Sequence, residues 1–133
     1  MINSYDLNFD ALSLDIINWD SALIQVSGDK KFLEEILQDL LNEADEANLE
    51  LREAIKACNF EQVGKEAHKI KGGASYLHCE QIYCITYIIQ MRVMSSLECK
   101  TDEERAYLWT QIKKDYKIFK IAIRNLEREI TER

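Results

Sequence analysis

Proline is absent from this chain of 133 residues, and glycine occurs only four times. All-β folds turn every few residues and depend on Gly and Pro at those turns. The chain lacks that punctuation, so long helices are expected. Hydrophobic spacing supports them. From about Asp29 to Ala57, the residues Phe32, Ile36, Leu40, Ala44, Ala47, Leu51 and Ala54, with Cys58 just beyond, recur every three or four positions, the stripe of an amphipathic helix. Asn59 followed by Gln62 can act as a capping box, starting a second helix to about Leu77 with a seam of Val63, Ala67, Ile70, Ala74 and Leu77. A third helix is predicted over Glu80 to Ser96. Ile82, Ile85, Ile89 and Val93 form its core face, while Tyr83, Tyr87, Ile88, Met91 and Met94 make it apolar nearly all round. Such a helix is covered on several sides or meets a partner. Thr101 with Glu104 caps the last helix, whose stripe runs Trp109, Ile112, Tyr116, Phe119, Ile123, Leu126 and Ile130. A short helix from about Asp20 to Ser27 lids one end of the core. The expectation is an all-α fold, an up-and-down antiparallel four-helix bundle with a short additional N-terminal helix, in a single domain over residues 1–133.

Charge and cysteine usage narrow the setting. Residues 1–60 carry 13 acids against 4 bases and residues 61–133 carry 11 against 13, for a net charge of −7. Nucleic-acid binding relies on clustered Lys and Arg that displace counterions, so overall acidity argues against nucleic acid as a partner. No stretch approaches the roughly 20 apolar residues of a membrane span, and the N-terminus does not read as an export signal. Cys58, Cys79, Cys84 and Cys99 show no C-x-x-C spacing and fit reduced, buried thiols in a cytoplasmic protein.

Most traces of enzymatic chemistry are missing. There is no Gly-rich phosphate loop, no G-x-S-x-G elbow and no H-E-x-x-H zinc pair. Carboxylate-bridged metals in bundles use Glu-x-x-His, yet Lys65 precedes His68 by three and Ser75 precedes His78 by three. No metal site is expected.

The segment around His68 stands apart. At about 100° per residue the apolar seam centres roughly 140° from His68, so the imidazole points to solvent. Gly64 and Gly72 lie one turn below and above it, Gly73 follows, and Ser75 lies two turns up. Glycine inside a helix costs about 0.5–1 kcal/mol relative to alanine, and access to the ring is the reading that accounts for three of them. Lys65 and Lys71 flank the line with Lys69 farther round, an electrostatic collar that suits an anion. The uncharged imidazole is a competent nucleophile, and an already activated phosphoryl group needs only an in-line nucleophile and charge compensation.

The run AHKIKGGASYL at 67–77 resembles the signature of the histidine-containing phosphotransfer (HPt) domain, A-H-x-[LI]-K-G-[small]-[small]-x-x-[LI]-G, and the similarity spans about residues 15–130. The resemblance implies that His68 is the phosphoacceptor, that Lys71 helps to neutralise the phosphoryl group, and that Gly72 opens the space over the ring. It also implies that Gln90, 22 positions after the histidine, orients the imidazole. His78 stands where the family usually has glycine. That position ends the helix with positive φ, which histidine tolerates.

Taken together, the expectation is a cytoplasmic phosphocarrier, a monomer as the state needing the fewest assumptions, with no nucleotide site and hence no kinase activity of its own; the resemblance implies its place in a phosphorelay. It takes a phosphoryl group from the receiver domain of a hybrid sensor histidine kinase and passes it to the receiver of a response regulator. It holds no cofactor, and Mg²⁺ belongs to the partner receivers. Docking is expected on Tyr83, Tyr87 and Met94, with Ile16, Ile17 and the first helix contributing. Two rival readings are an adaptor bundle that binds a receiver or kinase domain without phosphotransfer, and a metal- or cofactor-binding bundle enzyme.

Overall fold

Helix starts in this chain are written in short polar side chains. The computed structural model describes residues 7–133 and contains a 3₁₀ turn at Ala11–Ser13 followed by α1 (Trp19–Gln25), α2 (Lys30–Lys56), α3 (Phe60–Tyr76), α4 (Glu80–Ser96) and α5 (Asp102–Glu132). Side chains of Asn18, Asp29, Asn59 and Thr101 each accept a backbone N–H of the first turn, at 3.0–3.1 Å. Each such cap stabilises its helix by about 1 kcal/mol. At Thr101 the return contact comes from Glu104, whose Oε1 accepts from the Thr101 hydroxyl at 3.1 Å and from the backbone N–H of Lys100, one residue before the cap, at 3.3 Å. α1 starts one residue earlier than predicted, at Trp19, because Asn18 supplies the cap.

Three helices end on a residue with positive φ that is not glycine: Ser27, Cys58 and His78 at 56°, 52° and 56°. His78 is thus the left-handed terminator expected at that position. The exit is stitched by Cys79 N–H to the Ala74 carbonyl, and the His78 carbonyl accepts from Asn18 N–H at 3.0 Å.

The four long helices close a ring in which α2 packs on α3, α3 on α4, α4 on α5 and α5 on α2. One apolar core runs through all of them. The α3 seam lies wholly inside it, with Val63, Ala67, Ile70 and Ala74 at 0% exposure. On α2 the buried stripe is Leu33, Leu37, Leu40, Leu41, Ala44, Ala47, Leu51, Ala54 and Ile55. This corrects the predicted stripe at its ends: Phe32 and Cys58 are exposed and Ile36 only half-buried. The predicted stripe opens with three consecutive steps of four, each overshooting a full turn by about 40°, whereas the buried stripe keeps the four-three alternation from Leu33 to Ala54.

α4 is covered on the side away from α3. Residues 7–14 lie along it: the Gln81 amide donates to the carbonyls of Leu12 and Leu14 at 3.3 and 2.9 Å, and Arg92 donates to the Leu7 carbonyl at 2.6 Å. Ile88, predicted to enlarge the apolar surface, is buried in the core, whereas Val93 is only half-buried. Arg92 also forms a buried ion pair with Asp115 of α5. Burial raises the Asp115 carboxyl above the ordinary range, and the guanidinium pulls against that rise.

Of the cysteines, Cys79 and Cys84 are buried, and burial pushes both thiols up to about 12. Cys99 is half-buried. Cys58 is exposed, contrary to expectation, since it sits at the left-handed exit of α2 rather than on its packed face.

Candidate functional site

α3 presents two unlike faces. Opposite its buried seam, His68 is exposed, with exposed Gly72 and Ser75 above it and half-buried Gly64 below. The neighbouring α4 brings Gln90 to the ring, where its amide Nε2 meets His68 Nδ1 at 3.2 Å. That contact leaves Nε2 as the ring nitrogen without a protein partner among the described residues. The other amide atom of Gln90, Oε1, is buried and has no hydrogen-bond partner there.

The glycines divide. A Cβ built on Gly72 meets nothing within 4 Å, so its helix surface is open. One on Gly73 would stand 3.0 Å from Leu40 Cδ1, and one on Gly64 3.1 Å from Val93 Cγ1. This corrects the reading of all three as access residues. Gly64 and Gly73 let α3 approach α4 and α2 closely, while only Gly72 has no packing reason. Gly72→Ala is therefore expected to stabilise the fold by about 0.5–1 kcal/mol through helix propensity, and Gly73→Ala to gain nothing because Leu40 must move. Chemical denaturation of the two variants checks this. Equal stabilisation of both would show that Gly73 is not held to its small size by Leu40.

The cations divide as well. Lys65 pairs with Glu61 at 3.3 Å and Lys69 with the buried Glu66 at 3.2 Å. Glu66 also accepts from Gln62 at 2.8 Å. The collar is thereby reduced, since two of its three ammonium groups have a carboxylate on their own helix. Lys71 meets no carboxylate among the described residues. It is half-buried, with Nζ 5.9 Å from the centroid of the Tyr87 ring, a cation–π approach.

Tyr83 and Tyr87 stack at 6.3 Å between centroids, and Met94 continues their line at 59% exposure. The line extends to Leu97, which is 86% exposed and was missed by the sequence reading. The signal was there: 83, 87, 90, 94 and 97 alternate four and three, a second helical stripe on α4 beside its core stripe. Ile17, expected at the docking surface, is buried in the core at 6% exposure, and Ile16 is half-buried. The chain before α1 is pulled inward there by the bond from Asn18 to His78.

Among the described residues no group of three His, Cys, Asp or Glu side chains converges to hold a metal, and no helix is long and apolar enough to cross a membrane. Residues 35–99, which contain the exposed His68, its Gln90 contact and the α4 stripe, match the Hpt domain family. The chain carries an Hpt domain. No curated protein and no solved structure matches it. Hpt domains carry out histidine phosphotransfer in phosphorelays, interact with receiver domains, and are phosphocarriers rather than kinases. The matched segment runs from the second turn of α2 to just beyond α4, so α1 and α5 lie outside it.

Proposed function

We propose that His68 is the phosphoacceptor of this Hpt domain, taking a phosphoryl group from the aspartate of a receiver in a hybrid sensor kinase and delivering it to the aspartate of a response-regulator receiver. The observation that carries this is the contact of Gln90 with Nδ1 of an exposed ring that has Gly72 open beside it. Attack needs a lone pair on the free nitrogen, Nε2, and hence the proton on Nδ1. Gln90 provides for that by turning its amide, which exchanges oxygen for nitrogen at little steric cost. Oε1 then accepts the Nδ1–H, and the orphaned buried oxygen of the other orientation gains a partner.

The transfer itself needs no further proton. The Nε2 lone pair forms the N–P bond as the P–O bond to the aspartyl carboxylate breaks, and the electron pair leaves with the carboxylate. Delivery runs the same exchange in reverse. Lys71 offsets negative charge on the phosphoryl oxygens, and Lys65 and Lys69 contribute less because each is already paired. Tyr83, Tyr87, Met94 and Leu97 form the apolar surface on which the receiver docks. Mg²⁺ enters with the receiver, and the carrier itself binds no cofactor. The domain works as a cytoplasmic monomer.

An up-and-down antiparallel order of α2 to α5 fits the short links and the cross-helix pairs Leu40 with Gly73, Gln90 with His68, and Arg92 with Asp115. The shared core supports reading α1 and α5 as parts of the same domain as the matched segment.

The deciding experiment incubates the full chain with a receiver domain phosphorylated on its aspartate. Label that moves to the chain and is acid-labile but base-stable supports the reading. A chain that binds the phosphorylated receiver without taking its label is an adaptor instead. In the same assay Lys71→Ala is expected to slow transfer by roughly tenfold, the equivalent of about 1.4 kcal/mol in the barrier, with melting almost unchanged. An unaltered rate would remove Lys71 from the mechanism.

A further inference from the structure

The groove between α2 and α5 lies across the ring from the α3–α4 face that carries His68. It holds a cleft of about 330 Å³ lined by Arg52, Lys56, Lys113, Lys117 and Lys120, with Ile55 and Tyr116 completing the lining and no acid among them. Among the described residues, only Lys56 of these five cations meets a carboxylate, Glu53 at a loose 3.9 Å. Tyr116 is half-buried; its hydroxyl donates to the Asn48 carbonyl at 3.2 Å, and Lys120 Nζ stands 4.8 Å from its ring centroid. Five converging positive charges on a chain of net charge −7 repel one another, and apart from Lys120 over Tyr116 and the loose Lys56–Glu53 pair none has a compensating contact among the described residues, which is the pattern of a surface kept for an anionic ligand.

We infer that this cleft binds a short acidic polypeptide segment of a partner protein. Three observations select that class. Lys113 to Lys120 span roughly 10 Å along the helix axis, so the charges are spread over a length that a single phosphate does not cover but that successive carboxylates on one chain do. The patch is bounded: farther along the same groove Asp45 and Glu127 lie close enough to repel each other. An extended polyanion, whether a nucleic acid or an anionic membrane, would reach past the patch to the acidic remainder of the surface. A short segment ends inside it. The one aromatic ring available to stack a base also already has an ammonium near its face, which removes the platform that single-stranded nucleic acids use.

The test uses the full chain and a fluorescein-labelled peptide of ten glutamates, read by anisotropy at low ionic strength. The peptide is expected to bind, to release in 1 M salt where screening shortens to about 3 Å, and to lose about tenfold or more in affinity with Lys113→Glu, Lys117→Glu and Lys120→Glu together. Reversing Lys30, Lys31 and Lys100, exposed residues away from the cleft, changes net charge by the same amount and is expected to cost less than about twofold. The neutral pair Lys117→Gln and Lys120→Gln gives the same ordering with less repulsion, and circular dichroism verifies that each variant is folded. Equal losses from the two triple variants, absence of peptide binding, or tighter binding of a single-stranded oligonucleotide or of phosphatidylserine vesicles would each overturn the inference. The inference does not depend on the His68 reading, and peptide binding is measured without any phosphoryl donor.

Discussion

His68→Gln is expected to reduce phosphoryl acceptance from a phosphorylated receiver to background while leaving the fold intact. Both halves of that expectation come from position. The ring is exposed on α3, on the side away from Val63, Ala67, Ile70 and Ala74, so replacing it removes no buried surface. Substitutions of that kind usually stay within about 0.5 kcal/mol. Glutamine keeps a polar group near Gln90 but has no nucleophilic nitrogen, so the N–P bond has no atom on which to form. The measurement is transfer of label from the receiver, with helix content and melting followed in parallel. Continued acid-labile labelling of the variant would move the phosphosite to another residue, and the half-buried His78 is the other histidine in the chain.

Asp115→Ala is expected to have the largest effect on stability. Arg92 and Asp115 are 7% and 4% exposed, and the guanidinium is held by the Asp115 carboxylate together with the Leu7 carbonyl. Removing the acid leaves a buried cation with one neutral acceptor, and breaking one side of such a pair costs about 3–5 kcal/mol. In a chain of this length that is a fall in Tm on the order of 10–20 °C. The contrast is the double variant Arg92→Leu with Asp115→Leu, which removes both charges and is expected to recover most of the loss, since apolar replacements of buried ion pairs are often neutral or better. Denaturant melts of the two variants decide it. A single variant within 1 kcal/mol of the parent would mean that water reaches Arg92 and that the pair is not sealed.

Much of the fold could be read from residues alone because the helix starts carry their own caps. Asn59 with Gln62 and Thr101 with Glu104 placed two boundaries, and the seam from Val63 to Leu77 is buried throughout. His68 and Gln90 could be matched at a distance of 22 residues only through the family signature. Nothing in helical spacing says which turn of α4 lies beside which turn of α3. The roles of Gly64 and Gly73 were hidden for a related reason. Their small size answers to Val93 and Leu40, whose proximity depends on how the helices pack. The buried ion pair was overlooked although both halves left a trace. Asp115 falls on the stripe of Ile112 and Phe119, and Arg92 follows Ile85, Ile88 and Ile89, so each helix carries one charge of opposite sign where an apolar residue belongs.

The arm of residues 7–14 bears on how far the working unit extends. α4 holds Gln90 on one flank and is gripped on the opposite flank by that arm and by Asp115, through Gln81 and Arg92. A fragment trimmed to the matched residues 35–99 would strip both grips, baring to water the α4 face that packs on α5 and leaving the helix that steadies the imidazole braced by α3 and what remains of α2. The smallest autonomous version of this protein is accordingly wider than its recognisable motif, and its margins serve as buttresses for a ring they never touch.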